Sequence, residues 1–465
     1  YEAEIAAWEQ LIEEHPTDQY ISKAYLEKSS TLWRFMQEYE ESADTLLSFV
    51  ARYPDAPEAA DYLHTAGIIL EIGGYLSRAS ETWQRVFNEY PGAEKAYPSL
   101  FKAGIVTYRL EKYPEARVIF QRLLVLSNTN EDKASANFWI AKCYQQENMP
   151  AEANTYFQQA ADADTSDYYG IRAQEMLAGQ AAFSPINNVD FAIDFEKERA
   201  EAEKWLREKF AIDTAVDLSS PGDLAGNPLF RRGEEFWKLG MRDNARIEFE
   251  QLRKEIQSDP VNTFKLMNHM LDLGFYQTAS LSSRQVLDLA GLSPEATLTE
   301  PPVYFNHIRF GIFYRDIIVP AAIENGLDPL LVFSLIRQES LFEGFVRSGA
   351  GARGLMQIIP ATGQEIANDI GWPEAYSDND LYRPLVSLLY GTHYLDKQRD
   401  LFDGNLYAAL AAYNGGPGNA AIWKQLAPDD PDLFVEVVRF EETRRYIKLI
   451  YELYSIYYQL YDRSP

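Results

Sequence analysis

Through the first 180 residues, apolar side chains recur at the three- and four-residue spacing of amphipathic helices, and strand-like alternation is almost absent. Stacking equivalent positions exposes an internal repeat. Ala43, Ala79, Ala116 and Ala153 follow one another at intervals of 36, 37 and 37, and Trp83, Phe120 and Phe157 at 37 and 37. Pro54 and Pro91 close two of the units. Each unit reads as two helices. In one of them Ala103 lies in the first helix, Tyr113-Pro114-Glu115-Ala116 makes the turn, and Arg117 through Leu124 form the second. The small Ala at the repeated position lets the helices approach closely. Helical patterning breaks at Phe183-Ser184-Pro185-Ile186-Asn187-Asn188 and again at Ser219-Ser220-Pro221-Gly222-Asp223. A second repeat follows, with Gly240 and Gly274, and Ala245 and Ala279, each 34 apart, so the paired helices extend to about residue 290.

Pro301-Pro302 marks a linker, after which the repeat disappears and the Gly and Tyr content rises. Three domains are therefore predicted, at residues 1–182, 183–302 and 303–465. In the third, Asp328 and Pro329 supply an N-cap and a first helical residue, and Gly344 suggests the helix end. At about 100° per residue, Glu339 falls between Leu335 and Ile336 and one turn from Leu331, Val332 and Phe342, with Arg337 on the opposite side. A carboxyl held against aliphatic walls is hard to ionise, so its pKa should rise toward the range in which it can donate a proton and take one back. Spacing alone also accommodates a Glu at the edge of the stripe that reaches water.

Composition narrows the function classes. The chain has 465 residues and a formal net charge of −27. From Val303 onward 14 basic and 21 acidic residues give −7, so residues before it carry −20. Nucleic-acid binding needs clustered Lys and Arg, so no nucleic-acid partner is expected. The single Cys143 excludes an intramolecular disulfide and a Cys-based metal cluster, and the five scattered His residues lack metal-site spacing. No metal and no cofactor are expected. Nor is a transmembrane segment, since no run approaches 18 apolar residues. The start at Tyr1, without Met or an apolar stretch, reads as a mature or trimmed chain.

After Glu339 comes Arg347-Ser348-Gly349-Ala350-Gly351-Ala352-Arg353-Gly354-Leu355-Met356-Gln357-Ile358-Ile359-Pro360, in which three Gly within six residues let backbone pass close to a ligand. Gln357 offers a donor and an acceptor for hydroxyl or acetamido groups, and Met356 can pack on the face of a sugar ring. Ala411-Ala412-Tyr413-Asn414-Gly415-Gly416 reads as a helix stop with Tyr413 and Asn414 at its mouth. Glu441-Glu442-Thr443-Arg444-Arg445-Tyr446 opens a Tyr-rich helix, whose Tyr454, Tyr457, Tyr458 and Tyr461 are expected to pack.

The repeat resembles the tetratricopeptide (TPR) pattern at a slightly longer period, which implies a curved solenoid. Gln338-Glu339-Ser340, Gly354-Leu355-Met356-Gln357, Ala412-Tyr413-Asn414-Gly415-Gly416 and Glu442-Thr443-Arg444-Arg445-Tyr446 resemble, in order and spacing, the lytic transglycosylases that carry TPR-like domains. The resemblance covers about 150 residues. It implies a mainly all-α chain: a TPR-like solenoid followed by a goose-lysozyme-like catalytic domain. It further implies non-hydrolytic cleavage of the β-1,4 bond between N-acetylmuramic acid and N-acetylglucosamine in peptidoglycan, leaving 1,6-anhydromuramoyl ends. Glu339 then matches the catalytic acid and base, and Ser348, Gln357, Tyr413, Asn414 and Tyr446 match cleft positions. Glycan strands would be the substrate, the solenoid could take protein partners, and the location would be periplasmic or otherwise extracytoplasmic.

Other readings remain open at this point. A conventional glycosidase needs a second carboxylate about 5 to 9.5 Å from the first, and Glu343, Asp369, Asp378 and Asp380 are available. A non-catalytic glycan-docking scaffold and a chitinase-like enzyme fit the same motifs less fully. The chain departs from the family pattern at Ile359, often Met, at Glu343-Gly344, commonly an Asn-Pro-like turn, and at Arg439, often Pro.

Overall fold

The 37-residue period belongs to the backbone before it belongs to side chains. In the computed structural model, which describes residues 1–185 and 189–462, Gln37, Gly74, Glu111 and Asn148 all adopt left-handed conformations, with φ of 61°, 84°, 59° and 56°. Each occupies the turn between two helices, and consecutive ones are 37 apart. The amides of Tyr75, Lys112 and Met149 reach back to the carbonyls of Leu70, Thr107 and Tyr144 at 2.8, 3.2 and 2.9 Å. That is a Schellman closure, which satisfies carbonyls orphaned at a helix end. Gly240 and Gly274 repeat it 34 apart, with Met241 bonded to Phe236 and Phe275 to Met270.

Two units divide the chain, Tyr1–Ala182 and Phe183–Pro465. In the first, helix pairs such as Ala59–Ile72 with Leu76–Glu89 and Ala96–Arg109 with Tyr113–Leu126 repeat along the sequence. Ala43, Ala79, Ala116 and Ala153 are buried, as are Trp83, Phe120 and Phe157. Facing these aromatics is a small residue 16 positions earlier. A Cβ on Gly67 would lie 2.4 Å from the Trp83 ring and one on Gly104 2.5 Å from the Phe120 ring, while Ala141 stands in the same place before Phe157. Gly233 and Phe249 repeat the fit in the second unit, at 2.6 Å. The tyrosines that end two helices tie units together, Tyr53 donating to the Pro16 carbonyl at 2.8 Å and Tyr90 to that of Pro54 at 2.9 Å. One local expectation is corrected. Tyr113 and Pro114 open the Tyr113–Leu126 helix, because proline is accommodated in a first turn that lacks amide partners, and the reversal lies at Leu110–Lys112.

The second unit starts where helical patterning was seen to fail, although Ile186, Asn187 and Asn188 lie outside the described residues. Its first part pairs Pro228–Lys238 with Arg242–Glu255 and Pro260–Leu273 with Tyr276–Leu289. Pro301-Pro302 interrupts the helices, yet Tyr304, Phe305 and Ile308 of the Val303–Arg309 helix share one core with Phe230, Phe249, Phe264 and Leu287. Packing therefore does not change hands at residue 302, because the next helix turns back onto the preceding ones. Beyond it, Pro329–Ser340 lies antiparallel to the long C-terminal helix Glu441–Tyr461. Tyr454 bonds Asp328 at one end and Tyr446 bonds Glu339 at the other. Tyr454, Tyr457 and Tyr461 are buried, whereas Tyr458 faces water. No strand occurs among the described residues, only isolated bridges.

The Gly-aromatic fit is tested by Gly104→Val. Phe120 is fully buried between Phe101 and Trp139, at centroid distances of 6.0 and 5.9 Å, and has nowhere to move. Overpacking of this kind costs about 1–3 kcal/mol, so thermal or urea denaturation should show the loss, and Gly92→Val, with open space around its Cβ, should show far less.

Candidate active site

The Pro329–Ser340 helix brings Glu339 to its last turn. Asp328 caps its start by accepting from the Leu330 amide at 2.8 Å, and Leu330 through Ile336 are buried. Ser340 donates to the Leu355 carbonyl at 2.9 Å, which ties the helix end to the glycine-rich loop. On the far side, Arg337 donates to the Arg309 carbonyl at 2.7 Å and lies 4.4 Å from the centre of the Phe310 ring. The helix stops sooner than Gly344 suggested. Leu341 and Phe342 take φ of 51° and 62°, so Glu343 leaves the face that carries Glu339.

Glu339 is half-buried and accepts a hydrogen bond from the Tyr446 hydroxyl at 2.5 Å. Burial raises its pKa to about 7, while the Tyr446 bond opposes that rise and the charge of Glu442 adds to it. The hydroxyls of Tyr446 and Tyr413 are both held well above the usual phenol range, first by burial and then by Glu339, so both stay protonated donors. Tyr413 spends its proton on the Met356 carbonyl, at 2.7 Å. Its neighbour Asn414 accepts from Thr443 at 2.6 Å, joining the end of the Leu406–Gly415 helix to the Tyr446 helix.

The loop between them is fixed by its backbone. A Cβ on Gly354, whose φ is 76°, would lie 1.9 Å from the Leu381 carbonyl oxygen, so only glycine fits. Ser348 turns the chain: its hydroxyl accepts from the Ala352 amide at 3.0 Å, and its amide donates to the Ala352 carbonyl at 3.0 Å. Gln357, at φ 48°, donates through Nε2 to the carbonyls of Gly354 and Val346 at 2.8 and 3.2 Å. Its side-chain carbonyl is the atom those bonds leave.

The fold thus joins Glu339 directly to Tyr446, sets Tyr413 beside both, and connects Asn414 to the same helix through Thr443. Ser348 and Gln357 shape the adjoining loop and do not bond Glu339. Met356 is corrected. Its side chain is fully buried, and a Cβ on Gly391 would fall 2.4 Å from its Cε, so it offers no face to a sugar. It acts through its backbone, the amide donating to Ser387 Oγ at 3.1 Å and the carbonyl accepting from the Tyr413 hydroxyl. Sequence reading missed Ser387, Gly391 and Thr443 as supports. Thr443 lay inside a motif already picked out, whereas Ser387 and Gly391 sit in a Leu-rich helix with no local signal.

The other carboxyls are engaged elsewhere. Asp369 pairs with Lys397 at 2.5 Å, Asp378 with Arg353 at 3.5 Å, and Asp380 with Arg383 at 3.0 Å. Burial raises the pKa of Glu343, opposed by the bond it accepts from the Phe345 amide and by the charges of Arg246 and Arg242. The carboxylate that acts on Glu339 is the exposed Glu442, one helical turn before Tyr446. Among the described residues no group of three or more His, Cys, Asp or Glu is placed to hold a metal ion.

Residues 316–432 match the Transglycosylase SLT domain, and residues 135–164 the Tetratricopeptide repeat. The soluble lytic murein transglycosylase of Salmonella typhimurium is 32% identical over 172 residues, 36% of this chain and 26% of that protein. The Escherichia coli protein of the same name is 32% identical over 173 residues, again 26% of its length. The chain thus spans about a quarter of these relatives. An inactive mutant of the lytic transglycosylase Slt from Pseudomonas aeruginosa shares the fold over 99% of this chain and 69% of that one, with a TM-score of 0.66 at 22% identity.

The Tyr446 bond favours the ionised Glu339, so Tyr446→Phe should move the carboxyl's titration midpoint upward from about 7. Carbon-detected NMR titration of labelled Glu checks the direction, and a downward move would refute this account of the site.

Proposed function

We propose that this chain, whose residues 316–432 form a Transglycosylase SLT domain, is a peptidoglycan lytic transglycosylase with Glu339 as its acid and base. The observation that carries the reading is a half-buried carboxyl with a pKa near 7, bonded to a phenol that stays protonated. At neutral pH such a group populates both forms, and a shuttle needs both.

Glu339 first gives its proton to the glycosidic oxygen, and the bond from that oxygen to C1 of the muramoyl sugar breaks. The neighbouring acetamido oxygen closes on C1 and holds the developing positive charge. The C6 hydroxyl then attacks C1, the acetamido oxygen leaves, and the hydroxyl proton passes to the Glu339 carboxylate. Atoms balance without water, and the product is a 1,6-anhydro ring. Tyr446 steadies the carboxylate between its two tasks. Ser348, Gln357, Tyr413 and Asn414 shape the cleft wall around the sugar. Intramolecular help from the acetamido group replaces the second carboxylate of a conventional glycosidase, in keeping with the ion pairs that occupy Asp369, Asp378 and Asp380.

The substrate places the protein outside the cytoplasm, in the periplasm or at the cell envelope, and among the described residues no helix is long and apolar enough to cross a membrane. Residues 1–182 are read as the TPR-like superhelix, a surface for protein partners. Residues 183–302, with Val303–Arg309, are read as further helical repeats, and the remainder as the catalytic domain.

Mass spectrometry of digested peptidoglycan should find 1,6-anhydromuramoyl ends. Reducing ends that have gained water would make the protein a hydrolase instead. Glu339→Gln should keep glycan binding and lower turnover about 10²–10⁴-fold, and retained turnover would sink the assignment. The acid must be protonated when the reaction starts. A raised pKa keeps that form available below about 7 and loses it above, so kcat/KM should fall as pH rises through about 7.

A further inference from the structure

Glu343 is a second buried carboxyl, and the reaction leaves it without a task. It is 4% exposed. One oxygen accepts from the Phe345 amide at 3.4 Å, and Oε2 has no hydrogen-bond partner. A buried polar atom left unpaired is costly, so its presence asks for a reason. The titratable groups that act on it electrostatically come from two elements. Arg242, Asp243 and Arg246 lie at the start of the Arg242–Glu255 helix, and Tyr314 lies just before the Arg315–Glu324 helix. Asp243 engages Arg246 at 2.7 Å. Arg242 instead lies 5.5 Å from the centre of the Phe345 ring, which in turn stacks near Tyr382.

The stretch that carries Glu343 also ends the helix of Glu339. Leu341 and Phe342 have side chains yet adopt left-handed backbone, and such strain persists only where surroundings impose it. The Glu343 amide donates to the Ser340 carbonyl at 3.0 Å. Phe342 is buried 5.4 Å from Phe313, and Phe313 stacks at 3.8 Å on Tyr276, at the start of the Tyr276–Leu289 helix. Two of the paired helices therefore hold the turn, through Phe342 and Phe313 from one and through Arg242 on the Phe345 ring from the other.

We infer that Glu343 is a positioning residue: buried and bonded to the amide of Phe345, whose ring Arg242 of the Arg242–Glu255 helix covers, its carboxyl fixes the turn that ends the Pro329–Ser340 helix, and so the place of Glu339. The inference rests on the proposed role of Glu339. It gives the helices that precede the SLT match a part in the reaction, since Glu339 stands just before a turn that they contact through Phe342 and Phe345.

The full chain tests it, assayed well below its melting temperature. Glu343→Ala should lower kcat about tenfold, a displacement effect smaller than the 10²-fold that a 1 Å misplacement can cause, with KM within about twofold. Its alkaline limb, set by Glu339 among Tyr446, Tyr413 and Glu442, should move to lower pH as water reaches the loosened helix end. Glu343→Gln keeps the shape and the acceptor for the Phe345 amide and should restore both. A loss of stability alone would move neither kcat of the folded protein nor the limb. Arg242 is exposed, so Arg242→Ala should fold and shift the limb the same way by less. Wild-type kcat and an unmoved limb in Glu343→Ala, or in Arg242→Ala should Glu343→Ala not fold, would overturn the inference. Absence of anhydro products from the unaltered protein would instead overturn the activity reading.

Discussion

A carboxyl at the end of an apolar helix can be half-buried only if something else meets its polar atoms, and here the Tyr446 hydroxyl does so at 2.5 Å. The second half of the unit is arranged around that bond. Because Pro329–Ser340 and Glu441–Tyr461 run antiparallel, a phenol on one can reach each end of the other, Tyr454 at the Asp328 cap and Tyr446 at Glu339. Shifting either helix by a turn would break both contacts together. The glycine-rich loop is then bolted to the same helix end through Ser340 and Leu355, and to the Leu406–Gly415 helix through Tyr413 and Met356.

Two opposing effects act on Glu339, and burial wins. The phenol favours the carboxylate, yet the pKa rises from 4.5 to about 7, a preference for the neutral form worth about 3 kcal/mol at 1.36 kcal/mol per tenfold. The sign matters for stability. A folded pKa above the ordinary value contributes stability that is fully present below about 4.5 and is lost as pH rises through about 7. The fold thus gives up stability at neutral pH to hold a carboxyl that can lose and regain its proton there.

Much of this was legible in the chain itself, for identifiable reasons. Glu339 was legible because a charge on the face that Leu331, Val332, Leu335 and Ile336 make apolar violates the helical stripe, and the Ala and aromatic positions were legible because each recurs at a fixed interval. The left-handed turns were not read in advance: Gly240 and Gly274 stood out only as positions 34 apart, and at Gln37, Glu111 and Asn148 the backbone requirement is met by residues whose side chains do not announce it. Met356 was misjudged since composition says that a thioether suits a sugar face and only packing shows Gly391 filling that face first. The helix end at Ser340 was placed late because the chain reverses through Leu341 and Phe342, apolar residues that look like a continuation. Tertiary burial of Phe342 against Phe313 overrides their local preference.

The same distinction separates side chains that only shape the loop beside Glu339 from those that keep polar atoms uncommitted. Tyr413 and Met356 have committed their polar groups to each other, so substituting them alters geometry rather than recognition. Gln357 has committed only Nε2, to two backbone carbonyls, and Asn414 only Oδ1, to Thr443. Each therefore keeps one side-chain atom of defined polarity, an acceptor on Gln357 and a donor on Asn414, at an orientation the other half of the amide has already fixed. An acetamido group carries one N–H and one carbonyl. Two half-committed amides, pre-oriented by the fold rather than by the ligand, are suited to such a group because little conformational freedom remains to be lost on binding.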